Sequence, residues 1–158
     1  MDTILTALDS QFVLIDGRSR QLLALLTDQI LYERPTGTAA SIEPLSCGEF
    51  IARSAAEVER TFGGLTTRLW DDPYEWTLPE KLSSIASLLT YLDEVEATRS
   101  RGFLFFVSDT DLKREIPAPV TLRPIIDVLL DTLARSAHFQ GRAFETYRSV
   151  TSQKPPRL

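Results

Sequence analysis

The sequence predicts an all-α protein, an up-down four-helix bundle with long connections. Three observations carry this. Four stretches repeat apolar residues at three- and four-residue spacing, the mark of a helix with one buried face. Two of them open on capping-box sequences, Ser46-Cys47-Gly48-Glu49 and Thr77-Leu78-Pro79-Glu80. Glycine and proline clusters punctuate the gaps between them. Helices that each carry one apolar stripe bury those stripes best against one another.

The first helix is expected from about Thr3 to Leu31. Its stripe is Leu5, Leu8, Phe12, Ile15, Leu22, Leu26 and Ile30. Gly17 costs it about 1 kcal/mol relative to Ala, which burial of the stripe covers. Arg34-Pro35-Thr36-Gly37 ends it. The second helix is expected over residues 46–63, capped by Ser46 and Glu49. Phe50, Ile51, Ser54, Ala55, Val58 and Phe62 form its inner face, and Gly63-Gly64 stops it. A loop with Trp70, Tyr74 and Trp76 follows. Such an aromatic loop either roofs a ligand pocket or plugs the end of the bundle.

The third helix is expected from Thr77 to about Arg99, carrying Leu82, Ile85, Leu88, Leu89, Leu92, Val95 and Glu96, with Gly102 closing it. Residues 103–119 are the least helical part, a long packed connection. Phe103-Leu104-Phe105-Phe106-Val107 fits a short strand or a buried helix end equally well. The last helix starts near Thr121, with Pro124 in its first turn, where the missing N–H costs little. Its stripe is Leu122, Ile125, Ile126, Leu129, Leu130, Leu133, Ala137, Phe144 and Tyr147, and it ends near Arg148. Residues 1–150 read as one domain, and 151–158, with Lys154-Pro155-Pro156, as a frayed tail.

Composition narrows the function classes. The 158 residues carry 17 basic and 22 acidic side chains, a net charge of −5. That acidic balance argues against nucleic acid and anionic membrane as partners. No apolar run approaches the ~18 residues of a membrane span. The N-terminal stretch has Asp2 and no long apolar core, unlike a signal peptide. One cysteine, Cys47, allows neither an internal disulfide nor a multi-thiolate metal site, which suits a cytoplasmic protein. One histidine, His138, cannot build a histidine metal site, so no metal and no cofactor is expected.

The usual enzyme motifs are missing. There is no glycine-rich phosphate loop and no His-Glu-x-x-His, and Glu94 and Glu96 do not share a helix face. Cys47 stands at a helix first turn, where the dipole favours a thiolate, or it is simply a small residue that fits there. His138 lies roughly 160° from the centre of the last stripe at ~100° per residue, a surface or boundary position. Ser136 and Gln140 fall inside that stripe. Polar residues on a core face must find partners. They line an internal pocket, or they bond to neighbouring backbone. Arg53, four residues before Glu57, reads as a surface ion pair or as an anion contact.

Two motifs then stand out: Ser46-Cys47-Gly48-Glu49-Phe50-Ile51-Ala52-Arg53 with Glu59 beyond, and Arg135-Ser136-Ala137-His138-Phe139-Gln140-Gly141-Arg142. With the helix order, which covers nearly the whole chain, they resemble the DinB/YfiT-like superfamily of metal-dependent four-helix bundles. The resemblance implies three metal-binding histidines, one on the second helix and two spaced four apart on the last. Aligned on the glycine, those positions hold Arg53, Arg135 and Phe139, and His138 falls beside one of them. A register shifted by one uses Ser136 and Gln140. Neither register restores the triad. The resemblance therefore implies a bundle that kept its architecture and lost its metal site, with homodimers formed through exposed helix faces.

Arginine at two ligand positions suggests a change from cation to anion binding. The candidate ligand-binding residues are Arg53, Arg135, His138 and Gln140, with a small-molecule or anionic ligand. The expected role is a non-enzymatic module that binds a small ligand or a protein. The alternative is a metal-independent, transferase-like enzyme using Arg53, His138 and Tyr91 or Gln140 at a bundle-end pocket. That alternative requires His138 and an arginine to converge on one cavity.

Overall fold

The computed structural model describes residues 2–36, 44–71 and 82–156. These residues are mostly helical. In chain order they form α1 (Thr3–Leu23), the short α2 (Asp28–Leu31), α3 (Cys47–Thr67), α4 (Ile85–Phe103), a 3-10 turn (Asp109–Lys113), strands β1 (Glu115–Pro117) and β2 (Leu122–Pro124), and α5 (Ile125–Thr151). The two strands pair antiparallel, with Ile116 opposite Arg123.

The four long helices share one core. α3 packs most extensively on α5 and next on α4, while α1 packs on the same two. Leu5, Leu22, Phe62, Leu88 and Leu129 are fully buried there. Phe12, Phe62, Phe103 and Phe106 cluster at one end with ring centroids 5.2–6.1 Å apart, edge to face except for the tilted pair Phe62–Phe103.

The contacts also give the helix directions. α3 and α5 run antiparallel, because Cys47 meets Ala143, Ser54 meets Ser136 and Thr61 meets Thr132. α1 and α4 run antiparallel, because Leu5 bonds Asp109 just past α4, Asp9 pairs with Arg99 and Arg20 with Asp93. α3 and α4 run the same way. Tyr32 bridges their starts, lying against Gly48 and bonding the Leu82 carbonyl, and Phe62 meets Gly102 and Phe103 near their ends. The chain thus runs up, down, down, up and does not alternate as expected. Two neighbours that run in parallel need a connection the length of a helix. This is why α3 and α4 are joined by a long link.

Several boundaries differ from the sequence expectation, each for a local reason. α1 stops at Leu23 and not at Leu31. Leu25 and Leu26 donate back three residues, and the Thr27 side chain then accepts from Ile30 N at 3.4 Å to start α2. The break buries Leu31, whereas Ile30 is only half-buried. α3 runs through Gly63-Gly64 to Thr67 and ends at Arg68, in the left-handed region at φ 62°. Gly64 serves close packing instead of a stop: a Cβ there would lie 2.4 Å from the Trp70 ring.

The capping box expected at Thr77 lies outside the described residues. α4 starts at Ile85, capped by Ser84, with Ser87 completing the reciprocal pair. It continues past Arg99 to Phe103. The stretch 103–107 is no strand but a helix end, coiled by bonds from Leu104, Phe105 and Phe106 back three residues. The connection after it holds a 3-10 turn and a hairpin. Leu122-Arg123-Pro124 pairs as a strand, so α5 starts at Ile125. It ends at Thr151, beyond the expected Arg148, and the Tyr147 hydroxyl donates to Gln153 Oε1 at 2.9 Å in the tail. Leu122, Leu130 and Ala137, expected inward, are exposed. Thr132, Ser136 and Gln140 take the inward places at that level.

Charges tie the first helix down. Asp109 accepts from Ile4 N and Leu5 N at 3.0 and 2.9 Å, and its own N–H donates to Asp2 Oδ2. The 3-10 turn thereby caps the N-terminus of α1. Arg99 is 5% exposed, pairs with Asp9, and has its pKa lowered by burial.

Two glycines should respond in opposite directions to alanine. A Cβ on Gly102 would sit 2.4 Å from Phe62 Cδ1 in the full core. Overpacking there outweighs the helix-propensity gain, so Gly102→Ala should destabilise by about 1–2 kcal/mol. Gly17 has nothing within 4 Å, and Gly17→Ala should stabilise by about 0.5–1 kcal/mol. Denaturant unfolding midpoints of the two variants check both signs.

Candidate functional site

The contact between α3 and α5 is a line of small polar side chains. Cys47, Ser54 and Thr61 recur every seven residues along α3, which keeps them on one face. Ser54 Oγ and Ser136 Oγ are 2.8 Å apart, and each also reaches the other's backbone carbonyl at 2.9 Å. Thr61 and Thr132 hydroxyls meet at 2.7 Å, and Thr132 also donates to Val128 O. Gln140 Nε2 donates to Ile15 O and to Ser19 Oγ (2.8 Å for the latter), which ties α5 to α1. Ser54, Ser136 and Gln140 are at most 2% exposed. Their polar atoms are satisfied, and they read as structure.

Of the two registers, the shifted one points inward. Ser136 and Gln140 are buried, and Ser54 faces them from α3. The glycine-matched positions differ. Arg135 is exposed, Arg53 is half-buried, and Phe139 packs partly buried on the core. A space of about 30 Å³ remains beside Ser54 and Ser136, bordered by Phe12, Ser19, Glu96 and Arg99. That is room for about one water. Among the described residues no three His, Cys, Asp or Glu side chains group as metal ligands.

His138 is exposed, as its wheel position suggests, and its ring stands edge-on to Phe139 at 5.7 Å. It borders neither the space beside Ser54 and Ser136 nor the cleft that α3, α5 and the loop after β1 enclose. Tyr91 is buried, and its hydroxyl donates to Glu59 Oε2 at 2.6 Å. The two motifs meet again where the Arg142 guanidinium lies over the Phe50 ring at 5.3 Å. Cys47 is 2% exposed and its Sγ lies 3.5 Å from the Ala143 carbonyl. Burial pushes its thiol up to about 12, so the small-residue reading of Cys47 holds and the helix dipole does not activate it.

The arginines gather elsewhere. Between α3, α5 and the loop joining β1 to β2 lies a cleft of about 180 Å³. Arg60 comes from α3, Arg123 from β2 and Arg135 from α5, with Glu57 and Asp131 among them. Asp131 holds Arg123 at 3.3 Å and Arg135 at 3.4 Å. Arg60 is half-buried, and its Nε makes no hydrogen bond with any described residue. Trp70 forms one wall, packed over Gly64 and donating Nε1–H to Pro117 O at 3.1 Å. Tyr74 and Trp76 lie outside the described residues.

Arg135 is thus a cleft residue, but Arg53, His138 and Gln140 do not join it there. Arg60 and Arg123 were missed by the sequence reading. The signal for Arg60 was present, because it lies seven residues after Arg53 on the same face. Arg123 gave none, since its stretch reads as helix.

No protein-family model and no curated protein matches this chain.

The Cys47 environment gives a two-part expectation. Native protein should not react with a thiol reagent at pH 8, and unfolded protein should react fully. The thiol titrates at about 12 folded against 9.0 in an ordinary setting. Its contribution to stability is complete below 9.0 and is lost as pH rises above that, because only the unfolded chain then ionises. Unfolding free energy measured with pH should fall above 9.0, and Cys47→Ala should reduce that slope.

Proposed function

We propose that this chain is a DinB/YfiT-like four-helix bundle that has lost its histidine metal site and serves as a small-ligand binding module, not as an enzyme. One observation carries the reading. The inward positions of the shifted register hold Ser54, Ser136 and Gln140, whose hydrogen bonds are spent on one another and on α1. A metal would have to displace a set of buried bonds and would find only neutral hydroxyl and amide ligands, which suit neither zinc nor nickel. The arginine-lined cleft on the side of the bundle is the place this reading assigns to a ligand.

The competing enzyme would need His138 beside an arginine at one cavity. His138 instead lies on the exposed side of α5. A homodimer through exposed helix faces belongs to this reading, since α1 exposes Val13 and Leu14 and α5 exposes Leu130. So does a cytoplasmic setting, which the single buried thiol suits.

Metal content decides the first half. Protein purified without chelators and freed of any tag should carry zinc and nickel far below one equivalent by elemental analysis. A stoichiometric metal that survives dialysis would overturn the reading.

A further inference from the structure

The cleft between α3, α5 and the β-hairpin has features that a structural surface does not require. Its three guanidinium groups face two carboxylates, a net of one positive charge. Arg123 and Arg135 share Asp131 at 3.3 and 3.4 Å, longer than the ~2.7–2.9 Å of strong charge-assisted bonds. Both are therefore loosely held and able to turn toward another acceptor. Arg60 brings a buried Nε donor with no partner among the described residues. Buried donors of this kind are few in native proteins, and each calls for an explanation. The same cleft has an apolar lining: Trp70 lies over Gly64 and donates to the Pro117 carbonyl, and Val120 and Val128 also border the cleft.

We propose that this cleft binds a small molecule with one carboxylate, which Arg60 and Arg135 hold while its flat or apolar body lies along Trp70. The inference rests on the binding-module reading and names its ligand class. Arginine's planar fork matches a carboxylate in two parallel bonds. A single negative charge balances the cleft. A phosphate monoester, at about −1.5 to −2, overshoots it. Asp131 acts as an internal competitor, occupying Arg135 when no ligand is present.

The test is a titration of the 158-residue chain with sodium benzoate, benzamide and phenyl phosphate, followed by NMR shifts and by Trp70 fluorescence in a Trp76→Phe background. Benzoate should bind saturably and perturb Trp70, more weakly as salt rises. Benzamide, the same shape without charge, should not saturate. Arg60→Met and Arg135→Gln should each weaken benzoate about tenfold. Arg135 is exposed, so its variant keeps the test alive if Arg60→Met fails to fold. Asp131→Asn should tighten binding, the reverse of what loss of a structural contact would do.

Absence of saturable benzoate binding would overturn the proposal, as would equal binding of benzamide or arginine variants within about twofold of the parent. Tighter phenyl phosphate than benzoate would overturn the carboxylate assignment. None of these outcomes touches the metal-free reading, which elemental analysis judges separately.

Discussion

The mutual hydrogen bonding of Ser54 and Ser136 sets how closely α3 and α5 approach. Each hydroxyl needs the other helix's carbonyl at 2.9 Å, and only short side chains allow that. Thr61 with Thr132 and Cys47 with Ala143 continue the contact above and below. α3 then presents a second face to α4, where Phe62 lies on Gly102. α1 closes the group through Gln140 on one side and through Asp9 and Arg99 on the other. The core aromatics fill what this frame leaves at one end.

Closeness has a chemical consequence. A metal between these helices would have to break these buried bonds and would meet only neutral hydroxyl oxygens. Polar atoms inside a low-dielectric core must be paired, and here they pair within the protein. The charged side chains gather elsewhere, where the loop between β1 and β2 meets α3 and α5. There Arg123 and Arg135 are partly or largely exposed and share Asp131 at 3.3 and 3.4 Å.

Much of the fold was legible in the sequence. The apolar stripes of α1, α3 and α4 matched burial at Leu5, Leu8, Phe12, Phe62, Leu88 and Leu92, because the 3.6 period is a direct consequence of one-sided burial. The Ser46-Glu49 capping box formed as written. Helix ends were less legible. Gly64 and Gly102 looked like stops but answer to Trp70 and Phe62, partners distant in sequence or around a turn. Helix direction was invisible to periodicity, which does not distinguish an alternating bundle from one with parallel neighbours. Ser136 and Gln140 were placed inward from the wheel alone. Leu130 and Ala137 were misplaced because an apolar residue on the edge of a stripe was counted as inside it. The cleft was half legible: Arg135 stood out by motif, while Arg60 and Arg123 are brought to it by α3 and by a hairpin that no local pattern announced.

The central claim is that the inward positions facing one another on α3 and α5 are a structural bond and nothing else. A double-mutant cycle of Ser54→Ala, Ser136→Ala and the pair, followed by denaturant unfolding, tests it most directly. Each single change strands a buried partner, so each should cost about 1–3 kcal/mol, and the double should cost clearly less than their sum. Strict additivity, or singles that leave stability unchanged, would contradict the account and return these hydroxyls to the list of groups available for chemistry.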